Sequence, residues 1–134
     1  MLKTAILWPA IAQAALIVVA YAYLFRARLG AIGRGAVTST DFAPGDEPPE
    51  SAAGRRHIAN QFELPVLFFA VITYLFLIDG VSFLEVVLAW IFVATRVLHT
   101  IGSLLGPLVL RHVAFAAGFF VLVALWVDLA IRIL

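Results

Sequence analysis

Cysteine is absent from this sequence and charged residues are few. Without cysteine the chain has no disulfide, no thiolate nucleophile and no thiolate metal ligand, so thiol chemistry would need a thiol from a second molecule. Only 13% of the 134 residues are charged, about half of the share found in soluble domains. The net charge of +1 gives no sign of a nucleic-acid partner.

Apolar residues make up 64% of the chain and fall into four long runs. A helix needs about 20 apolar residues to cross a hydrocarbon core of roughly 30 Å. The sequence therefore predicts a single all-α domain over residues 1–134, an integral membrane four-helix bundle with up-down topology in contact with the lipid bilayer. The predicted spans cover about residues 4–28, 52–78, 83–105 and 107–133.

Residues 29–51 separate the first two spans and are rich in glycine, proline and acidic side chains, which predicts a polar loop. Ser51 is a candidate cap for the following helix. Ser82 and Glu85 have the spacing of a capping box at the start of the third span. The Gly106-Pro107 pair predicts a tight link that makes the third and fourth spans antiparallel neighbours.

Arginine placement predicts the orientation in the membrane. Five arginines lie in or beside the first loop, whereas residues 79–82 contain no Lys or Arg. The positive-inside rule then puts the first loop in the cytoplasm and both termini on the other side. The five arginines are Arg26, Arg28, Arg34, Arg55 and Arg56.

A polar stripe opens the second span. Its apolar part, residues 64–78, would reach only about 22 Å as a helix, so a full span must include the polar residues before it. On an unbroken helix, Arg56, Asn60 and Glu63 would lie within about 60° on one face. Such a stripe is costly in lipid and should face protein, water or a ligand. Pro65 predicts a kink beside it.

The third span carries a second polar face, formed by Arg96, His99, Thr100 and Ser103. Arg96 is a natural partner for the carboxylate of Glu63. Both polar faces could be purely structural, since amides and charged pairs often join membrane helices. The histidines have no metal-site spacing, and we propose no metal. Near the chain end, an ion pair is expected between Asp128 and Arg132.

The run Arg56-x-x-x-Asn60-x-x-Glu63-x-Pro65 resembles the MAPEG family, the membrane-associated proteins of eicosanoid and glutathione metabolism. Residues 90–100 resemble the family's third helix. The resemblance covers the four-span plan and about residues 55–112. It implies a homotrimer of four-helix subunits, with glutathione as cosubstrate bound between neighbouring subunits near the cytosolic surface.

The resemblance also implies roles for individual residues. Glutathione offers two carboxylates to arginines and one ammonium to a glutamate, which suits the motif. The candidate cofactor-binding residues are Arg28 (or Arg26 in its place), Arg56, Asn60, Glu63 and Arg96. The candidate catalytic residues are Arg111 and His99. In several members an arginine at roughly the place of Arg111 stabilises the thiolate, and His99 could assist by hydrogen bonding.

The sequence departs from the family pattern at two points. The better-known enzymes carry tyrosines on the third helix, where this chain has His99 and Ser103. Pro65 also follows Glu63 more closely than in the animal synthases, which suggests a bacterial-type member. We therefore expect a multi-pass protein of the cell inner membrane with periplasmic termini.

Two classes of function remain open from the sequence. The first is a glutathione-dependent membrane transferase or peroxidase acting on small lipophilic electrophiles or lipid hydroperoxides. The second is a non-catalytic trimeric scaffold or small-solute permeation protein, in which the Arg/Asn/Glu network is structural. A relative that binds another anionic thiol, or no ligand, is a third possibility. Calorimetry with glutathione separates them, because a scaffold gives no heat of binding.

Overall fold

The computed structural model describes residues 2–35 and 47–134, apart from the side chains of Leu2 and Glu50. This part of the chain is α-helical and contains no strand. The helices in chain order are α1 (Leu2–Ala5), α2 (Leu7–Gly33), α3 (Pro49–Asn60), α4 (Leu64–Leu77), α5 (Phe83–Leu104) and α6 (Leu108–Ile133).

These helices form four spans that are long and apolar enough to cross a membrane. The spans are Lys3–Gly33, Ser51–Leu77, Phe83–Leu104 and Leu108–Ile133. The predicted all-α membrane fold is thus confirmed. α2 continues to Gly33, beyond the predicted start of the loop at residue 29, because one glycine weakens a helix without ending it. Most of the predicted loop, residues 36–46, lies outside the described residues.

The second span is broken rather than merely kinked. α3 ends at Asn60, residues 61–63 form a turn, and Leu64 begins α4. Pro65 explains the break, because it has no N–H to donate and its ring clashes with the carbonyl four residues earlier. The interpretation of Arg56, Asn60 and Glu63 as one helical face is therefore wrong. Glu63 lies in the turn, at φ −96° and ψ −100°.

The core lies where the second, third and fourth spans meet. Phe68 and Phe92 stack with ring centroids 4.3 Å apart, and both are fully buried. α5 and α6 pack most extensively and approach closely at two glycines. A Cβ on Gly118 would lie 2.7 Å from Thr95 Oγ1, and one on Gly102 would lie 2.7 Å from the backbone nitrogen of Arg111. Such close approach is how membrane helices gain packing energy.

Charged pairs hold the end of the bundle that contains the turn between α4 and α5, called here the Asp79 end. Lys3 pairs with Asp79 at 2.5 Å. Arg132 pairs with Asp128 at 2.6 Å, as predicted, and also with the buried carboxylate of Glu85. The predicted capping box of Ser82 and Glu85 is confirmed. Ser51 does not cap its helix, because α3 begins earlier, at Pro49.

Candidate functional site

The opposite end of the bundle, called here the Arg28 end, collects polar side chains from all four spans. α2 and α5 end there, and α3 and α6 begin there. The polar side chains fall into two groups. One group is a set of partly exposed charges on α2 and α3, and the other is a buried network between the spans.

Glu47 is at the centre of the first group. Its carboxylate accepts hydrogen bonds from Arg28 Nε at 3.1 Å and Arg28 Nη2 at 2.8 Å. Ser51 Oγ and Arg55 Nη1 donate to the same carboxylate, the latter at 3.5 Å. The hydrogen bonds from Arg28 hold the pKa of Glu47 below its usual range, although partial burial opposes this. These four residues are called here the Glu47 cluster.

Two open grooves lie on the first two spans, and the smaller one includes residues of the Glu47 cluster. One has a volume of about 350 Å³ and is lined by Glu47, Ala52, Arg55, Arg56 and Ala59. The other has a volume of about 590 Å³ and is lined on the first span by Val19, Ala22, Tyr23, Arg26 and Ala27. Both volumes are in the range of small-molecule sites. Each groove combines apolar walls with guanidinium groups, which suits an anionic ligand that also has apolar parts.

The predicted binding residues of the second span do not point in one direction. Arg56 is exposed beside the smaller groove, and Asn60 is half-buried at the end of α3. Glu63 is exposed in the turn. Its charge acts on Arg96, yet the two form no ion pair within 4 Å in the described part of the chain. Arg28 is already engaged by Glu47.

Arg96 lies inside the bundle and is completely buried. Its Nη2 donates to the backbone carbonyl of Asn60 at 3.4 Å. Its Nε and Nη1 have no hydrogen-bond partner among the described residues. A buried guanidinium without a counterion is costly at membrane depth. Arg96 is therefore a group that would gain from an incoming acceptor.

A buried chain of hydrogen bonds joins the first three spans. Gln13 Nε2 donates to Gln61 Oε1 at 3.2 Å, and Gln61 Nε2 donates to His57 Nε2 at 2.9 Å. Thr100 Oγ1 lies 3.1 Å from the same histidine nitrogen. The sequence pattern did not single out Gln13, His57 or Gln61 as site residues. The available signal was weak: a lone amide in the first span, and a histidine and an amide spaced i, i+4.

His99 links the third and fourth spans. Its Nδ1 lies 3.2 Å from the backbone carbonyl of Arg111, and its Nε2 lies 3.3 Å from Ser103 Oγ. Because a carbonyl only accepts, Nδ1 carries the proton and Nε2 accepts from the serine. His99 therefore fixes the backbone of Arg111 rather than presenting a free nitrogen. The Arg111 side chain is half-buried.

The MAPEG family model matches residues 6–131, which include both grooves and the whole buried network. No match to a curated protein or to a solved structure was found.

Proposed function

Because the chain belongs to the MAPEG family, we propose that it binds glutathione at the Arg28 end and uses its thiol on a lipophilic acceptor. The activity is that of a glutathione-dependent transferase or peroxidase acting on small electrophiles or lipid hydroperoxides. The chain contains no cysteine, so the sulfur nucleophile belongs to the cosubstrate. The observation that carries the proposal is the groove that exposed Arg56 and half-buried Arg55 line together with Ala52 and Ala59.

The charged groups of glutathione are complementary to the charged side chains at the Arg28 end. Arg56 donates charge-assisted hydrogen bonds to one glutathione carboxylate. Glu63, exposed near the middle of the second span, receives the ammonium group. Asn60 supplies an amide beside them, and Arg96 supplies Nε and Nη1, the two donor nitrogens that lack an acceptor.

Glu63 also argues for assembly. A carboxylate that is exposed on one subunit at membrane depth cannot face lipid at low cost. A second copy that covers Glu63 and Arg56 would enclose the ligand between subunits, as the proposed homotrimer requires. The acceptor substrate then enters from the bilayer. We propose an inner-membrane location, in which the positive-inside rule favours the cytoplasmic face for the Arg28 end and the periplasm for both termini.

Arg111 is the proposed thiolate-stabilising residue. A nearby guanidinium lowers the pKa of a thiol and raises its reactive fraction at neutral pH. Arginine cannot act as the base, so the thiol proton leaves to water. The sulfur then forms a C–S bond with the electrophile and displaces its leaving group. With a hydroperoxide, two glutathione molecules give the alcohol, water and glutathione disulfide. His99 acts as a positioning residue, through the Arg111 carbonyl.

Calorimetric titration of the purified protein with glutathione tests the proposal. Saturable heat of binding, together with conjugation of a lipophilic electrophile, supports it. If no heat of binding appears with folded protein, the chain is the scaffold or permeation protein instead. In that case the buried network serves only to join the helices.

A further inference from the structure

We propose that Glu47 is a built-in competitor for a ligand carboxylate, occupying the position between Arg28 and Arg55 until the ligand displaces it. This inference rests on the proposed function, because the ligand is taken to be glutathione. The inference is drawn from the hydrogen-bond donors that surround the carboxylate of Glu47.

The carboxylate of Glu47 is held as a bound ligand would be held. Arg28 contacts both of its oxygens through Nε and Nη2, in the paired geometry that arginine prefers with carboxylates. Ser51 donates to one oxygen, and Arg55 lies 3.5 Å from the other. The Glu47 side chain is only 9% exposed. The hydrogen-bond donors at this position are thus already paired with the Glu47 carboxylate of the same chain.

The position of Glu47 relative to the groove makes it a competitor. Glu47 lines the smaller groove together with Arg55 and Arg56. Glu47 also occupies the Nε and Nη2 donors of Arg28. A ligand carboxylate that uses the same two donors therefore requires Glu47 to leave.

Such a competitor weakens binding by a predictable factor. The apparent affinity of a site falls by the fraction of time that the site is available. A Glu47 carboxylate in place about 90% of the time makes the apparent affinity about tenfold weaker. Removing the charge of Glu47 should raise the apparent affinity by the same factor, provided that Arg28 is present to bind the ligand.

The test is calorimetry with glutathione on the full-length protein and its Glu47→Gln variant. The variant should bind about tenfold more tightly. In an Arg28→Ala background the same change should have little effect, because the Nε and Nη2 donors that Glu47 occupies are gone. That comparison excludes a general rise in positive potential, which would persist without Arg28. Asp79→Asn, which removes one acid at the opposite end, is the charge control and should leave binding unchanged.

Each other outcome is decisive. Unchanged or weaker binding by a Glu47→Gln protein that melts like the wild type overturns the inference, and means that Glu47 merely orients Arg28. No heat with either protein contradicts the proposed function itself. Should Glu47→Gln fail to fold, Ser51→Ala decides. It removes one donor to Glu47 without a charge change and should tighten binding about two- to threefold, whereas unaltered binding overturns the inference.

Discussion

The imidazole rings of His57 and His99 stack on each other, with centroids 5.7 Å apart and planes inclined by 28°. Both rings are buried, one at the end of α3 and the other on α5. The hydrogen bonds of His57 run to Gln61 and toward Thr100, and those of His99 run to Ser103 and Arg111. The stacked pair is therefore the point at which polar contacts of the second, third and fourth spans meet, and Gln61 extends them to Gln13 of the first span.

His57→Ala should destabilise the bundle by about 1–3 kcal/mol, because it leaves the buried Gln61 amide without its acceptor. Thermal unfolding in detergent measures the loss. The matched control is His112→Ala, since His112 is exposed on α6. Equal melting temperatures for the two variants would contradict a structural role for the network.

Arg56→Ala, Asn60→Ala and Glu63→Ala should each weaken glutathione binding with little effect on expression. Losing one charge-assisted contact costs about 1.5–3 kcal/mol, or roughly ten- to a hundredfold in affinity. Arg34→Ala, which removes an exposed arginine at the same end, is the control for titration calorimetry. Variants that aggregate, while the soluble remainder binds normally, would show instead that these side chains are structural.

Arg111→Ala should retain glutathione binding and lose the ultraviolet absorbance of the bound thiolate. Turnover should fall with the thiolate signal, because the cation that stabilises the sulfur anion is missing. Arg111→Lys, which keeps a positive charge, should recover part of both. An unchanged thiolate signal in the alanine variant would remove Arg111 from the mechanism and direct attention to Arg96.

Gly102→Ala should destabilise the protein by about 1–3 kcal/mol through overpacking. The added methyl group would lie 2.7 Å from the backbone nitrogen of Arg111, and backbone cannot rotate away. Gly118→Ala should cost less, since its clash is with the Thr95 hydroxyl. Gly33→Ala meets no atom within 4 Å and is the neutral control. Chemical unfolding of the three variants measures the free energy of unfolding of each and so ranks the three losses of stability.

The contribution of Glu47 to stability should depend on pH. Its folded pKa is lowered by hydrogen bonds from Arg28, and Ser51 and Arg55 face the same carboxylate. A lowered pKa means that the stabilisation is complete above the unfolded value of about 4.3 and is lost as pH falls through the folded value. The difference in melting temperature between wild type and Glu47→Gln should therefore shrink below about pH 4.3. A difference that stays constant down to pH 3 would contradict this.

Much of the fold can be predicted from local sequence patterns. Four apolar runs, the second extended by the polar residues before it, predict four spans, and Gly106-Pro107 predicts the tight antiparallel pair of α5 and α6. The spacing of Ser82 and Glu85 predicts a capping box, because its two hydrogen bonds are local. Pro65 predicts a disturbance in the second span, although a kink was expected and the helix in fact ends at Asn60.

The side-chain partners were decided by tertiary structure alone. Gln13 meets Gln61 across 48 positions, and Arg28 meets Glu47 across 19. Nothing local marks such pairs, because each depends on how the helices rotate about their own axes when they pack. In membranes that rotation follows from close approach at small residues such as Gly102 and Gly118. The sequence by itself therefore determined the number and approximate positions of the spans, whereas packing decided which polar groups meet.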